Sequence, residues 1–85
     1  MPRGLSGWTY RDVKDFLKDY KFSFSDYLFG SHEAWISENR NAVVEVNRLD
    51  GGHTYPERTL ETMIRQSGLN KNEWREWANR GKRKK

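Results

Sequence analysis

The 85-residue sequence contains no cysteine, which excludes a disulfide framework, thiolate metal sites and a cysteine nucleophile. Only 34% of its residues are hydrophobic but 14% are aromatic, so a few large rings must supply much of the burial. A chain of this length hides only about 60–65% of its unfolded surface, which means one domain with a small core. The net charge of +4 is unevenly spread. Seven basic and two acidic residues lie from Asn70 onward, against nine basic and ten acidic before it, so the basic character belongs to the C-terminal end. Residues 80–85 read as a disordered basic tail following a single domain over residues 1–79. No apolar run follows Met1-Pro2-Arg3-Gly4, and no stretch approaches the roughly 20 apolar residues that span a bilayer, so the expected compartment is the cytoplasm.

The first helix is signalled by Thr9 as cap and Asp12 three residues on, followed by Val13, Phe16, Leu17 and Tyr20 at the spacing of one helical face. The period then changes to two. Phe22 to Phe29 reads as a strand with an irregularity near Asp26, and Gly30 ends it. A second strand is expected over His32 to Ser37. A polar turn at Glu38-Asn39-Arg40-Asn41 precedes a third strand through Ala42-Val43-Val44-Glu45-Val46.

After a loop from Arg48 to His53, Thr54 and Glu57 make a second capping-box pattern, with Pro56 in the first turn. Leu60, Met63 and Ile64 form the buried stripe of this helix. Gly68 is a left-handed stop over which Leu69 folds back. Asn70 and Glu73 can cap a short third helix whose Trp74, Trp77 and Ala78 dock onto the domain. The expected class is α+β, an α-β-β-β-α order with both helices on one face of a three-stranded antiparallel sheet, plus a short C-terminal helix. The same order occurs in double-stranded-RNA-binding domains. Fold alone does not license function.

No paired carboxylates, phosphate-cradling glycine loop or metal-ligand spacing is visible. His53 reads as an exposed loop residue. Gly30-Ser31-His32 is more informative. Gly30 permits an unusual turn, and His32 stands at the start of the next strand, at the sheet rim rather than inside it. Imidazole exchanges protons near neutral pH, as cleavage of a phosphodiester by its own 2′-hydroxyl requires, with neither metal nor cofactor obligatory. Taken alone, a histidine at a strand start is more often structural.

Gly30-Ser31-His32, followed by Thr59-Leu60-Glu61-Thr62-Met63-Ile64-Arg65-Gln66-Ser67-Gly68-Leu69, resembles the HicA (YcfA-like) family of bacterial toxins. The resemblance runs from the first helix through Leu69 toward Trp74. It implies a double-stranded-RNA-binding fold turned into a ribonuclease. Such an enzyme cleaves messenger RNA without metal or cofactor, and a HicB-type antitoxin covers its active site. His32 is carried across as the catalytic residue, with Gly30 and Ser31 shaping its turn. Relatives commonly carry glycine where this chain has Lys21, and often a second histidine near Asn47.

Phe16, Tyr20, Phe22 and Phe24 occupy core-type positions. Trp35 alternates opposite to Ala34 and Ile36 and is expected to face outward, where it could stack on a base. Arg58 and Arg65 lie off the apolar stripe of the second helix. With Lys82, Arg83, Lys84 and Lys85 they are candidates for phosphate contact, a solvated charged surface being the competing reading. A non-catalytic RNA-binding module and a protein-interaction module are the rival functions.

Overall fold

The computed structural model describes residues 4–80. Its elements in chain order are α1 (Tyr10–Asp19), β1 (Ser23–Phe29), β2 (His32–Ser37), β3 (Ala42–Asn47), α2 (Glu57–Ser67) and α3 (Lys71–Asn79). The three strands form one antiparallel sheet in the order β1-β2-β3. Among the described residues, no helix is long and apolar enough to cross a membrane.

The Thr9 hydroxyl accepts the Asp12 amide at 3.2 Å while the Asp12 carboxylate accepts the Thr9 amide at 2.9 Å, closing a capping box at the start of α1. At the other end, Lys21 N–H donates to Lys18 O and Phe22 N–H to Leu17 O, the paired bonds of a Schellman stop. This geometry needs a left-handed residue, and Lys21 supplies it with φ 71°. Buried Leu17 and Phe22 make the accompanying apolar contact. A side chain is thus held at Lys21 in a disfavoured conformation that glycine would adopt without strain.

Thr54 does not cap α2. Its backbone pairs with Thr9 in an isolated antiparallel bridge, and Tyr55 N–H donates to Trp8 O at 2.9 Å. The helix therefore starts later, with Pro56 as a cap that makes no side-chain hydrogen bond. Gly68 ends it with φ 77°, as expected. Ser67 Oγ joins α2 to α3: it donates to Ile64 O at 2.7 Å and accepts Leu69 N–H at 3.1 Å and Trp74 Nε1–H at 3.3 Å. Asn70 caps α3 by accepting the Glu73 amide. The Glu73 carboxylate takes the Tyr20 hydroxyl at 2.8 Å.

The core joins all three helices to one face of the sheet, the face carrying Trp35, Val44 and Val46. Trp8, Phe16, Trp74 and Trp77 form its aromatic half, with Phe16 and Trp74 stacked at 4.1 Å and Trp8 and Trp77 at 5.3 Å. Each of the four indole N–H groups finds an acceptor, in Gly4 O, Glu33 Oε1, Ser67 Oγ and Asp19 Oδ2.

Two expectations are corrected here. Trp35 does not face outward: it is 3% exposed and belongs to the core, so it offers no stacking surface to a base. The helices pack on the Glu33, Trp35 and Ser37 side of β2 because the buried Glu33 carboxylate is satisfied by Tyr10 OH at 3.0 and 3.1 Å and by Trp35 Nε1–H at 2.9 Å. Burial, reinforced by this carboxylate, pushes the Tyr10 phenol up to about 12. Phe24 lies on the same face but is 44% exposed, because β1 is open to solvent along its whole length.

Replacing Lys21 by glycine should stabilise the domain by about 0.5–1 kcal/mol, the left-handed strain relieved less the chain entropy that glycine adds. A raised urea midpoint is expected; an unchanged or lowered one would contradict the assignment of strain.

Candidate functional site

Gly30 and Ser31 are the whole loop between β1 and β2, since Phe29 pairs directly with His32. Gly30 has φ 54°, while Ser31 is not among the residues with positive φ, the pattern of a type II′ hairpin turn. A residue with a Cβ would meet no neighbour at Gly30, so the demand for glycine there is conformational rather than steric. The short turn makes His32 the first residue of β2. It also seats the imidazole against Phe29, with ring centroids 4.4 Å apart and planes 22° from parallel.

Ser31 serves the turn rather than the pocket. Its hydroxyl donates to Asn47 Oδ1 at 2.7 Å, and its carbonyl accepts Arg48 N–H at 2.9 Å, tying the hairpin to the end of β3. Asn47 is held from the other side by Tyr55, whose hydroxyl donates to the Asn47 carbonyl at 2.6 Å. Burial holds that phenol well above the ordinary tyrosine range.

The decisive contact of His32 comes from β3. The register pairs His32 with Asn47 and Ala34 with Glu45, so Glu45 is a diagonal neighbour of His32 on the same face of the sheet. Its Oε2 lies 2.7 Å from His32 Nδ1. A carboxylate can only accept, so a neutral ring bonded to it carries its proton on Nδ1 and its lone pair on Nε2. The imidazole side chain remains 31% exposed, which keeps it open to a ligand.

His32, Glu45 and Asn47 form the strand wall of a pocket of about 290 Å³, and Arg58, Thr59, Thr62, Met63 and Gln66 form its helical wall. The α2 residues recur at intervals of three and four and so share one face of the helix. Arg58 is exposed and makes no ion pair among the described residues. Arg65 does not join this pocket. It lines a separate groove of about 440 Å³ at the α2–α3 corner, with Glu61, Ile64, Gly68, Leu69, Asn70 and Lys71. His53 is exposed in its loop, with Nδ1 2.9 Å from Asp50 O. Lys82, Arg83, Lys84 and Lys85 lie outside the described residues.

Of the candidates read in the sequence, the structure brings His32 and Arg58 together in this pocket, while Gly30 and Ser31 form the turn that precedes His32. It adds Glu45, Asn47, Thr59, Thr62 and Gln66, which the sequence reading did not assign to the site. The Thr-Leu…Gln-Ser-Gly-Leu segment falls on the helix that lines this pocket, and its pattern does not distinguish pocket positions from packing positions.

Glu45→Ala should change the protonation pattern of the ring. In the native chain, the ¹⁵N shifts of neutral His32 are expected to report a proton on Nδ1, and in the variant a swing toward the Nε2-protonated form. Identical nitrogen shifts in the two proteins would mean that Glu45 does not hold the imidazole.

In comparisons with models of known families, with curated proteins and with solved structures, no family model, curated protein or solved structure matches the chain.

Proposed function

We propose that this chain is a toxin-type endoribonuclease of the HicA kind, with a double-stranded-RNA-binding-like fold, that cleaves messenger RNA and is neutralised by a HicB-type antitoxin. The observation that carries the reading is the His32–Glu45 pair at an open pocket: Nδ1 is engaged by a carboxylate at 2.7 Å and Nε2 is left for a substrate. The Gly-Ser-His and Thr-Leu…Gly-Leu resemblance supplies the reaction class.

In the proposed reaction, the 2′-hydroxyl oxygen attacks the adjacent phosphorus and gives its proton to His32 Nε2. The bond from phosphorus to the 5′-oxygen breaks, and that oxygen takes a proton from water. The products are a 2′,3′-cyclic phosphate and a 5′-hydroxyl. Glu45 orients the imidazole and stabilises the imidazolium formed in the step, the task of a carboxylate behind a catalytic histidine. Arg58 supplies positive charge at the pocket wall, where a phosphate backbone must pass.

Strand β1 supports the partner half of the reading. Phe24, Tyr27, Leu28 and Phe29 are 44%, 58%, 49% and 65% exposed on an open edge strand. Phe24 and Tyr27 meet edge to face at 5.0 Å, and exposed apolar side chains gathered on one strand mark an interaction surface. Phe29 is itself the ring stacked on His32, so a protein that covers this end of β1 lies beside the imidazole.

Transcript cleavage by purified His32→Ala should fall by about 100-fold or more, with binding of uncleavable RNA retained. Arg58→Ala should weaken binding and lower the slope of log affinity against log salt by about one. Cleavage by His32→Ala at the native rate would remove the catalytic assignment, and with it the enzyme reading.

A further inference from the structure

Gln66 stands in the middle of the segment that resembles the toxin family, yet neither packing nor helix termination uses it. Leu60, Met63 and Ile64 bury the apolar side of α2, Ser67 joins α2 to α3, and Gly68 ends the helix. Gln66 instead turns toward the sheet, and its Oε1 accepts the backbone N–H of Glu45 at 2.9 Å. Strand β3 is an edge strand among the described residues, and α2 provides the acceptor for this part-buried N–H.

That bond fixes the whole carboxamide. A backbone N–H can be accepted only by the amide oxygen, so the NH₂ group must occupy the opposite side. Gln66 lines the His32 pocket, and its NH₂ group has no protein partner among the described residues. Two oriented donors without an acceptor, on a wall shared with the unpaired guanidinium of Arg58, suit a ligand rich in anionic oxygen. Glu45 is the opposing charge in the pocket, and its Oε2 is already engaged by His32.

We propose that Gln66 Nε2 donates to a non-bridging oxygen of the phosphate held in this pocket, making Gln66 and Arg58 a phosphoryl-oxygen subsite. Identification of that phosphate as the scissile one rests on the ribonuclease reading; the anion subsite does not. One residue of β3 then aligns both halves of the reaction, because the Glu45 side chain orients the imidazole and the Glu45 amide orients the phosphate donor. Charge grows on the non-bridging oxygens as the 2′-oxygen attacks, so a donor fixed in advance acts most strongly in the transition state.

The test compares Gln66→Glu with Gln66→Met. Glutamate still accepts the Glu45 amide but loses the donors and adds negative charge; methionine loses donor and acceptor and stays neutral. Both variants should lower kcat for RNA cleavage by about 100-fold. Both should also weaken binding of a 2′-O-methyl oligoribonucleotide, an uncleavable probe read by fluorescence anisotropy. Urea midpoints confirm the fold, and hydrogen exchange at the Glu45 amide reports its acceptor, protected in Gln66→Glu and faster in Gln66→Met. A purely structural role predicts a different pattern, Gln66→Met impaired and Gln66→Glu native-like, and that result would overturn the proposal. So would a native chain with no affinity for the probe. If the native chain binds the probe through Gln66 yet cleaves no RNA, the subsite stands and the ribonuclease reading falls; if it cleaves RNA and both variants match it, the reverse holds.

Discussion

The hydrogen bond between Glu45 and His32 Nδ1 constrains the candidate site more than any other contact. An imidazole on a strand rim can rotate about two side-chain bonds and exist in two neutral tautomers. A carboxylate on one nitrogen and the Phe29 ring against one face remove most of that freedom. What remains is a single unengaged nitrogen on a ring that lines a pocket whose far wall is a helix carrying a guanidinium and a carboxamide. Preorganisation of this kind gives a small domain a defined reaction geometry with few parts.

Holding Glu45 against His32 is a task for the whole fold. The β2–β3 register must place Ala34 beside Glu45, and α2 must lie against β3 to bring Gln66 to the Glu45 amide. The α2 helix is in turn fixed by α3, through Ser67 and the stacked rings of Phe16, Trp74, Trp8 and Trp77. Aromatic packing that touches no part of the pocket thereby sets the distance between its two walls. A core this small leans on a few large rings, and all four tryptophans lie in it.

Local signals were legible in the sequence wherever the cause was itself local. Thr9 with Asp12, Gly30 before His32, and Gly68 before Leu69 each place an element end by backbone chemistry acting over a few residues. Long-range causes were not legible. Glu33 inside the core inverts the apparent alternation of β2, and its legitimacy depends on Tyr10, 23 residues away. Thr54 reads as a helix cap but is engaged by Thr9 across the fold. Glu45 is marked in the sequence only by its place in the third strand. Its meaning appears only from the register, which the four-residue turn between Ser37 and Ala42 sets by pairing them.

Chemistry at the cleaved ends tests the central claim most directly, because an imidazole acting on an internal nucleophile leaves a distinct product. RNA incubated with the native chain and followed by ³¹P NMR should yield 2′,3′-cyclic phosphate termini with 5′-hydroxyl partners, and a single 2′-deoxy substitution at the cleaved nucleotide should block the cut. Termini bearing a 5′-phosphate and a 3′-hydroxyl, or cleavage that ignores the missing 2′-hydroxyl, would show that water is the nucleophile and contradict the account.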